Sequence, residues 1–296
     1  SEMPEGLPRF SGRERLLLMG SCFATNIGTR LVEAKFACDV NPYGVLYNPM
    51  SISAALREAL EGKVYRADDL QAYGGLWHSP MHHGDFSAPT AEEALERINT
   101  RLEALREELK GLDVLVATWG TAWVYEDAQT GRIVGNCHKR PERCFRRRRL
   151  TVEEVTDDWC DLVGRLRAAN PRLRVLLTVS PIRHLRDGLH ANQLSKATLL
   201  LAADRLVEAM PDVVGYFPAY ELLNDELRDY RFYAADMVHP SDVAVDYVWQ
   251  RFCEACLTDE ARRVMDECDA IRKDLAHKPF RPDSDGYKIG RASCRE

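Results

Sequence analysis

The sequence predicts an α/β protein in which a parallel sheet is covered by helices on both faces. Short apolar runs typical of buried parallel strands recur along the chain, and longer amphipathic segments separate them. No repeat, Gly/Ser-rich linker or break in composition divides the 296 residues. We therefore expect one domain over residues 1–278, although the length alone would also allow two.

The elements follow in order from these patterns. The first predicted strand is followed directly by Phe23, Ile27 and Leu31, whose four-residue spacing places them on one face of a helix. Thr90 and Thr151 precede acidic residues in the manner of helix N-caps. The predicted strands cover residues 15–19, 113–118, 174–179 and 213–217, and the later helices cover residues 91–110, 152–169, 192–210, 243–257 and 259–276.

Three segments lie outside this alternation of strands and helices. We expect residues 63–89 and residues 126–149 to be insertions in the single domain. The last segment, residues 279–296, holds a cluster of turn-forming and charged residues that includes Pro282, Asp283 and Gly286. Such a composition at a chain terminus predicts a poorly ordered tail.

The composition excludes several classes of protein. Hydrophobic residues at 45% and charged residues at 29% are close to the averages of globular chains, which excludes a disordered, collagenous or coiled-coil chain. No apolar run approaches the roughly 18 residues of a spanning helix, so no membrane partner is expected. The apolar run at residues 16–19 is shorter than the core of a secretion signal. We expect a cytoplasmic protein, while the opening at Ser1 leaves room for a leader removed earlier.

Charge and cysteine content narrow the class further. The net charge of -6 offers no general attraction to nucleic acid or to anionic lipid. Nine cysteines at irregular spacing argue against a disulfide framework and for a reducing compartment. Residues 253–256 read CEAC, but they lie in an amphipathic helix without a second ligand pair, which favours packing over metal binding.

Four polar clusters fall where the predicted strands end or just before the last helices. Ligands of open parallel sheets collect at the carboxyl ends of the strands. Ser21 ends a strand and begins a helix, which suits either an oxyanion-binding nucleophile or a simple N-cap. Asp236 precedes His239 by three residues, so one turn lets the carboxylate hold the imidazole; the alternative is a helix start with a solvated acid. The clusters are residues 20–22, 118–121, 180–184 and 236–240.

Residues 20–24 read GSCFA, and the sequence closely resembles the GSCFA family, which is grouped with the SGNH/GDSL-like hydrolases. The resemblance spans about residues 16–252. It implies a three-layer α/β/α sandwich of flavodoxin-like type with a mostly parallel sheet. Further family-like motifs are NPYGVLYNP at 41–49, TWGTAWVY at 118–125, NCHK at 136–139, VSPIRH at 179–184, Asn192 with Ser195 and Lys196, YFPAYE at 216–221, LRDYRFY at 227–233 and DMVHP at 236–240.

The resemblance implies acyl transfer through a triad of Ser21, Asp236 and His239. Ser21 would attack an ester carbonyl, His239 would take its proton, and water would clear the acyl-enzyme. No metal and no organic cofactor is required. The histidines at 78, 82, 83 and 138 do not form the HExxH pattern of metalloproteases, which argues against zinc. Cys22 is an alternative nucleophile, although packing beneath the turn is the expected role of its thiol.

The resemblance also implies an oxyanion hole made of the nucleophile's own N–H, here that of Ser21, a glycine N–H, which Gly44 would supply, and a third group. The family pattern Gly-x-Asn-Asp is replaced here by GTAW at 120–123, and the first block lacks the Asp of Gly-Asp-Ser. Either the Thr121 hydroxyl or the Asn136 amide would therefore complete the site.

Substrate contacts are expected from polar residues in the family-like motifs. Asn136, His138 and His184 are candidates, and Lys139, Arg183 and Arg231 would bind an anionic group such as a uronate or a phosphate. Aromatic residues near the strand ends offer either a sugar-stacking surface or core packing. They are Tyr43, Tyr47, Trp77, Trp119 and Trp123.

The expected function is a serine esterase that removes an acyl group, such as acetyl, from an O-acylated carbohydrate or a small ester. Two alternatives are an acyltransferase of the same mechanism and a catalytically silent relative that binds a glycan or an anion. A third is a nucleic-acid-associated protein that uses the basic run at 146–149, which is otherwise a solvated loop. The sequence does not indicate an oligomeric state.

Overall fold

A computed structural model of the chain describes residues 2–4 and 6–276. The expected tail at residues 279–296 lies outside the described residues. No helix in the described part is both long and apolar enough to cross a membrane. In chain order, the strands and helices are β1 (Arg15–Gly20), α1 (Cys22–Glu33), β2 (Ala37–Val40), α2 (Pro49–Glu61), β3 (Gln71–Tyr73), β4 (Leu76–His78), α3 (Ala91–Gly111), β5 (Val114–Trp119), β6 (Trp123–Asp127), β7 (Ile133–Val134), β8 (Phe145–Arg149), α4 (Val152–Ala169), β9 (Arg174–Val179), α5 (Leu189–Ala209), β10 (Val214–Phe217), α6 (Ala219–Glu221), α7 (Asp242–Cys256) and α8 (Asp259–Ala276).

The central sheet has five parallel strands in the order β10-β9-β5-β1-β2. Strand β1 shows how the sheet is covered. Its side chains alternate, so Leu17 and Met19 pack on one face with α2 to α5, while Leu16 and Leu18 pack on the other with α1, α7 and α8. All four side chains are fully buried. The three-layer α/β/α class predicted from the sequence is confirmed.

Capping residues in the sequence account for the ends of three helices, α4, α3 and α2. Thr151 and Glu154 form the predicted capping box, since each side chain accepts the other's backbone N–H. Thr90 caps α3 by accepting the N–H of Glu93 at 3.2 Å. Helix α2 was not predicted, yet it has an Asn48 N-cap directly before a proline and ends at Gly62 in the left-handed region.

The two insertions form small antiparallel sheets. Residues 63–89 include the β3–β4 hairpin, and residues 126–149 contribute β7 and β8, which flank β6 in a three-stranded sheet. The basic run at 146–149 is therefore a strand and not the solvated loop that we expected. Because side chains alternate along a strand, Arg146 and Arg148 both bind the buried Glu126, at 2.7 and 2.6 Å from their Nε atoms. Arg147 instead pairs with Asp187.

Gly28 allows α1 to approach β2 closely. A Cβ atom at this position would lie 2.5 Å from Cγ2 of Val40, so a side chain must push the helix away from the strand. We expect Gly28→Ala to lower the free energy of unfolding by about 1–3 kcal/mol in urea denaturation. Gly164→Ala in α4 is the matched control, since a Cβ there meets no atom within 4 Å and alanine favours a helix. Equal effects of the two substitutions would contradict the close approach.

Candidate active site

A cavity of about 720 Å³ opens where the four predicted polar clusters meet. Ser21 directly follows β1, and residues 182–184 lie in the loop that leaves β9. Thr121, of the second cluster, lines the cavity from the segment after β5. His239 reaches the same cavity from the loop before α7. The carboxyl ends of parallel strands thus converge on one site, as expected for an open parallel sheet.

Ser21 is held at the N-terminus of α1. It is the N-cap of this helix, its Oγ accepts the N–H of Phe23 at 3.3 Å, and only 1% of the residue is exposed. Its own N–H lies 3.4 Å from the carbonyl oxygen of Thr118, a long hydrogen bond. The side chain is therefore at the base of the cavity, in the field of the positive end of a helix.

Asp236 and His239 form a hydrogen-bonded pair. Nδ1 of His239 lies 2.6 Å from Oδ2 of Asp236, and Oδ1 accepts the backbone N–H groups of Val238 and His239 at 2.9 and 3.0 Å. These hydrogen bonds, that from the His239 N–H first, lower the pKa of Asp236 to about 2. The carboxylate therefore stays ionised and fixes the ring, so that Nε2 is the nitrogen left for chemistry.

Ser21 and His239 line one cavity, but no hydrogen bond joins their side chains among the described residues. Contacts of this kind often tighten only in the complex with substrate. The structure therefore shows the acid–imidazole pair as a formed unit and the serine as a separate group at the same cavity.

Gly44 does not take the place expected for an oxyanion donor. It is outside the cavity lining, and its N–H donates to the carbonyl oxygen of Asn41 at 2.7 Å. Its φ of 75° and the position of His83, whose Cβ would lie 2.1 Å from an added Cβ, explain the glycine. The residue serves a tight turn and a close approach of His83, so its N–H is not available to a ligand.

Thr121 and Asn136 both line the cavity. The Thr121 hydroxyl accepts the N–H of Trp123 at 3.1 Å and shares a hydrogen bond with the Ser195 hydroxyl at 3.0 Å. If Ser195 donates in that bond, the Thr121 proton is left for the cavity. Asn136 uses its Oδ1 to accept the N–H of His138 at 2.8 Å, which leaves the amide nitrogen as its donor group.

The two histidines expected to bind substrate have different surroundings. His184 lines the cavity, and a Cβ added to Gly120 would lie 3.3 Å from its Nε2 and 3.6 Å from Cβ of Ser21. Burial first, and then the charge of Lys196, lower the pKa of His184 to about 3, so the ring is neutral. His138 lies outside the lining, where its Nε2 contacts the carbonyl oxygen of Ser79 at 2.7 Å. Its ring is used in packing, which does not support a substrate contact.

Comparison with known proteins identifies the family. The family model described as GSCFA family matches residues 15–252, which is most of the chain. The chain belongs to the GSCFA family. No curated protein matches it. Similar solved structures include the crystal structure of a carbohydrate esterase family 3 from Talaromyces cellulolyticus, at 10% identity and a TM-score of 0.38, covering 87% of this chain and 99% of that chain. Membership confirms the family that the motifs predicted, and the wider SGNH relationship stays a prediction.

Basic side chains of this GSCFA protein line the cavity in larger number than the motifs predicted. Lys139 and Arg183 are present as expected. Arg231 is not, because it lies on the exposed loop beside Asp229 and pairs with it at 3.1 Å. Three further cations that the motifs did not predict also line the cavity, namely Arg140, Arg147 and Arg186. Strand alternation in β8 places Arg147 on the opposite face from Arg146 and Arg148, which bind Glu126.

Aromatic residues divide between the cavity and the core. Trp119 and Tyr43 are buried core side chains, and Trp77 lies outside the lining, so these three do not form a sugar platform. Tyr47 and Trp123 do line the cavity, as do Tyr125 and Phe145.

Lys196 ties the loops beneath the cavity together. Its Nζ donates to the carbonyl oxygens of Gly120 and Ser180, each at 2.6 Å, and the side chain is fully buried at the base of both loops. Burial lowers the pKa of this amine to about 7. Since Gly120 packs against Ser21, this lysine fixes one wall of the nucleophile's surroundings.

The histidines considered as zinc ligands have other hydrogen-bond partners in the structure. Within residues 2–4 and 6–276, no group of three or more His, Cys, Asp or Glu side chains is arranged to hold a metal ion. His78 and His82 contact the hydroxyls of Ser87 and Ser79 at 2.6 and 2.7 Å.

The Cys22 thiol is a second possible nucleophile at the cavity. Cys22 lines the cavity with its Sγ 3.9 Å from the Tyr47 hydroxyl, so the thiol stays a candidate to be tested against Ser21.

Proposed function

We propose that this GSCFA protein is a serine acyl hydrolase that cleaves the ester of an O-acylated carbohydrate or a related small molecule. Ser21 is the nucleophile, His239 the general base, and Asp236 the group that orients the imidazole. The observation that carries the proposal is the hydrogen-bonded Asp236–His239 pair, whose imidazole lines the same cavity as a serine at a helix N-terminus.

The reaction follows the usual two steps of serine acyl chemistry. His239 takes the proton of the Ser21 hydroxyl while Oγ attacks the ester carbonyl carbon, and the carbonyl π electrons move to its oxygen. Collapse of this tetrahedral intermediate breaks the bond to the alcohol, which leaves with the proton from His239. A water molecule then attacks the acyl-Ser21 ester through the same base, and the free acid and the Ser21 hydroxyl are restored.

The negative oxygen of the intermediate needs donors around Ser21. The Ser21 N–H is the first, because its contact with the Thr118 oxygen is long and lies at the positive end of α1. The Thr121 hydroxyl or the Asn136 amide supplies a second donor from the cavity lining. These donors replace the Gly44 N–H that the resemblance implied, because that N–H donates to the carbonyl oxygen of Asn41.

The first experiment is hydrolysis of an activated acetyl ester by the purified chain, with intact-mass detection of an acetyl adduct. Turnover with an adduct supports the hydrolase. An adduct that clears only when a sugar alcohol is added would indicate a transferase of the same mechanism. Absence of both from folded protein would overturn the proposal and favour a silent binding relative.

Asp236→Asn should lower kcat/KM for the ester by about 10²- to 10⁴-fold, because an amide leaves the imidazole without its orienting charge. The pKa of Asp236 is lowered to about 2, so the carboxylate is ionised above that pH and lost only below it. A pH–rate profile between pH 4 and 9 should therefore show no step from this group. Asp229→Asn, on the neighbouring loop and outside the cavity lining, is the control. A similar loss in both variants would contradict the orienting role.

A further inference from the structure

Two aromatic rings of the cavity, Trp123 and Tyr125, are in contact with guanidinium groups. The Arg147 guanidinium lies 4.9 Å from the ring centre of Trp123 and 5.1 Å from that of Tyr125, and Arg186 lies 5.5 Å from Tyr125. The ion pair between Arg147 and Asp187 fixes this arrangement. These contacts place positive charge on the aromatic wall that Trp123 and Tyr125 form.

Positive charge is concentrated at this cavity against the balance of the whole chain. Five basic side chains line it against one lining acid, Glu142, while Asp127 and Asp187 pair with two of these cations from outside the lining. The basic residues are Lys139, Arg140, Arg147, Arg183 and Arg186. Low-dielectric walls strengthen the field of the cations that remain without a carboxylate.

Two of these cations differ from the other three in their ion pairing. Arg140, Arg147 and Arg186 each pair with a carboxylate, whereas Lys139 and Arg183 have no carboxylate partner among the described residues. Charge-assisted hydrogen bonds form most readily with a cation that is not already paired.

Arg183 is also fixed beside the proposed general base. Its backbone N–H donates to the carbonyl oxygen of Val238 at 3.2 Å, and its Nη1 donates to that of Met237 at 3.3 Å. The Tyr233 ring lies 4.0 Å from the guanidinium. Both carbonyls belong to the turn that carries His239, so an anion bound to Arg183 lies next to the reacting ester.

We propose that the ester substrate carries a negatively charged group, a carboxylate or a phosphate, which Arg183 and Lys139 bind next to the acyl group. The inference rests on the proposed function for the reacting ester, while the anion site can be measured without turnover. A charge-assisted hydrogen bond that is gained on binding should favour the anionic substrate about tenfold or more over its neutral analogue.

Binding to the Ser21→Ala variant, measured by calorimetry, tests the inference with matched ligands that cannot be turned over. One pair is an O-acetylated methyl galacturonoside and the corresponding galactoside; the other is an O-acetylated sugar phosphate and its dephosphorylated form. We expect the anionic member to bind at least about tenfold more tightly, and the ratio to shrink as salt rises. The pair with the larger ratio identifies the anion as carboxylate or phosphate.

Single substitutions test which side chains produce the preference for the anionic ligand. Arg183→Gln and Lys139→Gln, each in the Ser21→Ala background, should bring the ratio close to one, and Arg183→Lys should keep part of it because the charge remains. Arg146→Gln is the matched control: this arginine is on the same insertion, exposed, and bound to Glu126 outside the cavity. Its ratio should stay at the parent value.

Equal affinities within both pairs, or no measurable binding of any member, would overturn the inference. A preference for the anionic ligand that persists in both Gln variants would also overturn the inference. Failure of the proposed function gives another result: the wild-type chain would neither hydrolyse esters nor form an adduct, while the anion preference and its loss in the variants would persist.

Discussion

Replacing Ser21 with alanine should lower the rate of ester turnover by at least about three orders of magnitude. The substitution removes the oxygen that forms the acyl-enzyme, so the adduct should vanish with the turnover. Because Ser21 also caps α1 through the Phe23 N–H, the free energy of unfolding should fall by about 1 kcal/mol. Initial rates, intact mass and urea denaturation on the same preparation separate the two effects.

Cys22→Ala is the matched control for this prediction. The Cys22 thiol lines the same cavity and lies one residue away, so it is the competing nucleophile. The variant should keep most of the activity and still form an adduct. Loss of both in Cys22→Ala, with both retained in Ser21→Ala, would assign the chemistry to the thiol.

His239→Ala should lose activity to a similar extent as Ser21→Ala, and the double variant should lose little more. Groups that act as one unit are not additive, since the first removal already abolishes the step in which both take part. Losses that add in the double variant would show that the two side chains work separately.

The sheet and most helices could be predicted because their patterns are local. Strands β1, β5, β9 and β10 are apolar runs, and α4 begins at the predicted capping box. Strand β2 was missed because it is a four-residue edge strand whose side chains are not fully buried, so no apolar run marks it. Helix α2 was missed although its Asn48-Pro49 start and Gly62 end were readable signals.

Some residues of the candidate site could likewise be predicted from local sequence, and others could not. Asp236 and His239 could be paired from sequence because a three-residue separation folds within one turn. Contacts between distant segments could not be derived, since they depend on the tertiary fold. Arg147 enters the cavity because β8 pairs with β6, where its partner Tyr125 lies 22 residues earlier in the sequence. Gly44 was misplaced because a glycine in a turn serves the turn as readily as a ligand.

Lys196→Met should be the most destabilising of these substitutions, with a loss of about 2–5 kcal/mol in the free energy of unfolding. Methionine fills a similar volume but donates no hydrogen bond. The carbonyl oxygens of Gly120 and Ser180, now each 2.6 Å from Nζ, would be buried without a partner. Since Gly120 packs against Ser21, ester turnover should fall as well.

The stability lost in Lys196→Met should increase as the pH rises. Burial lowers the pKa of Lys196 from 10.5 to about 7, so between these values the unfolded chain holds a proton that the folded chain does not. The stability contributed by this group therefore rises with pH, by about 1.4 kcal/mol per unit above pH 7. Below pH 7 both states are protonated and the contribution is constant. Neutral Lys196 still has two N–H groups, one for each carbonyl.

Urea denaturation at pH 6, 7, 8 and 9 measures this slope as the difference between wild type and variant, in which the other titrating groups largely cancel. The difference should be flat from pH 6 to 7 and should grow from 7 to 9. Lys110→Met, on the exposed surface of α3, is the control and should run parallel to wild type throughout. A Lys196→Met curve that is also parallel to wild type would mean that the buried amine keeps its proton at pH 9. The hydrogen bonds to Gly120 and Ser180 would then be made by an ammonium group, and burial would have to be compensated by the carbonyl dipoles.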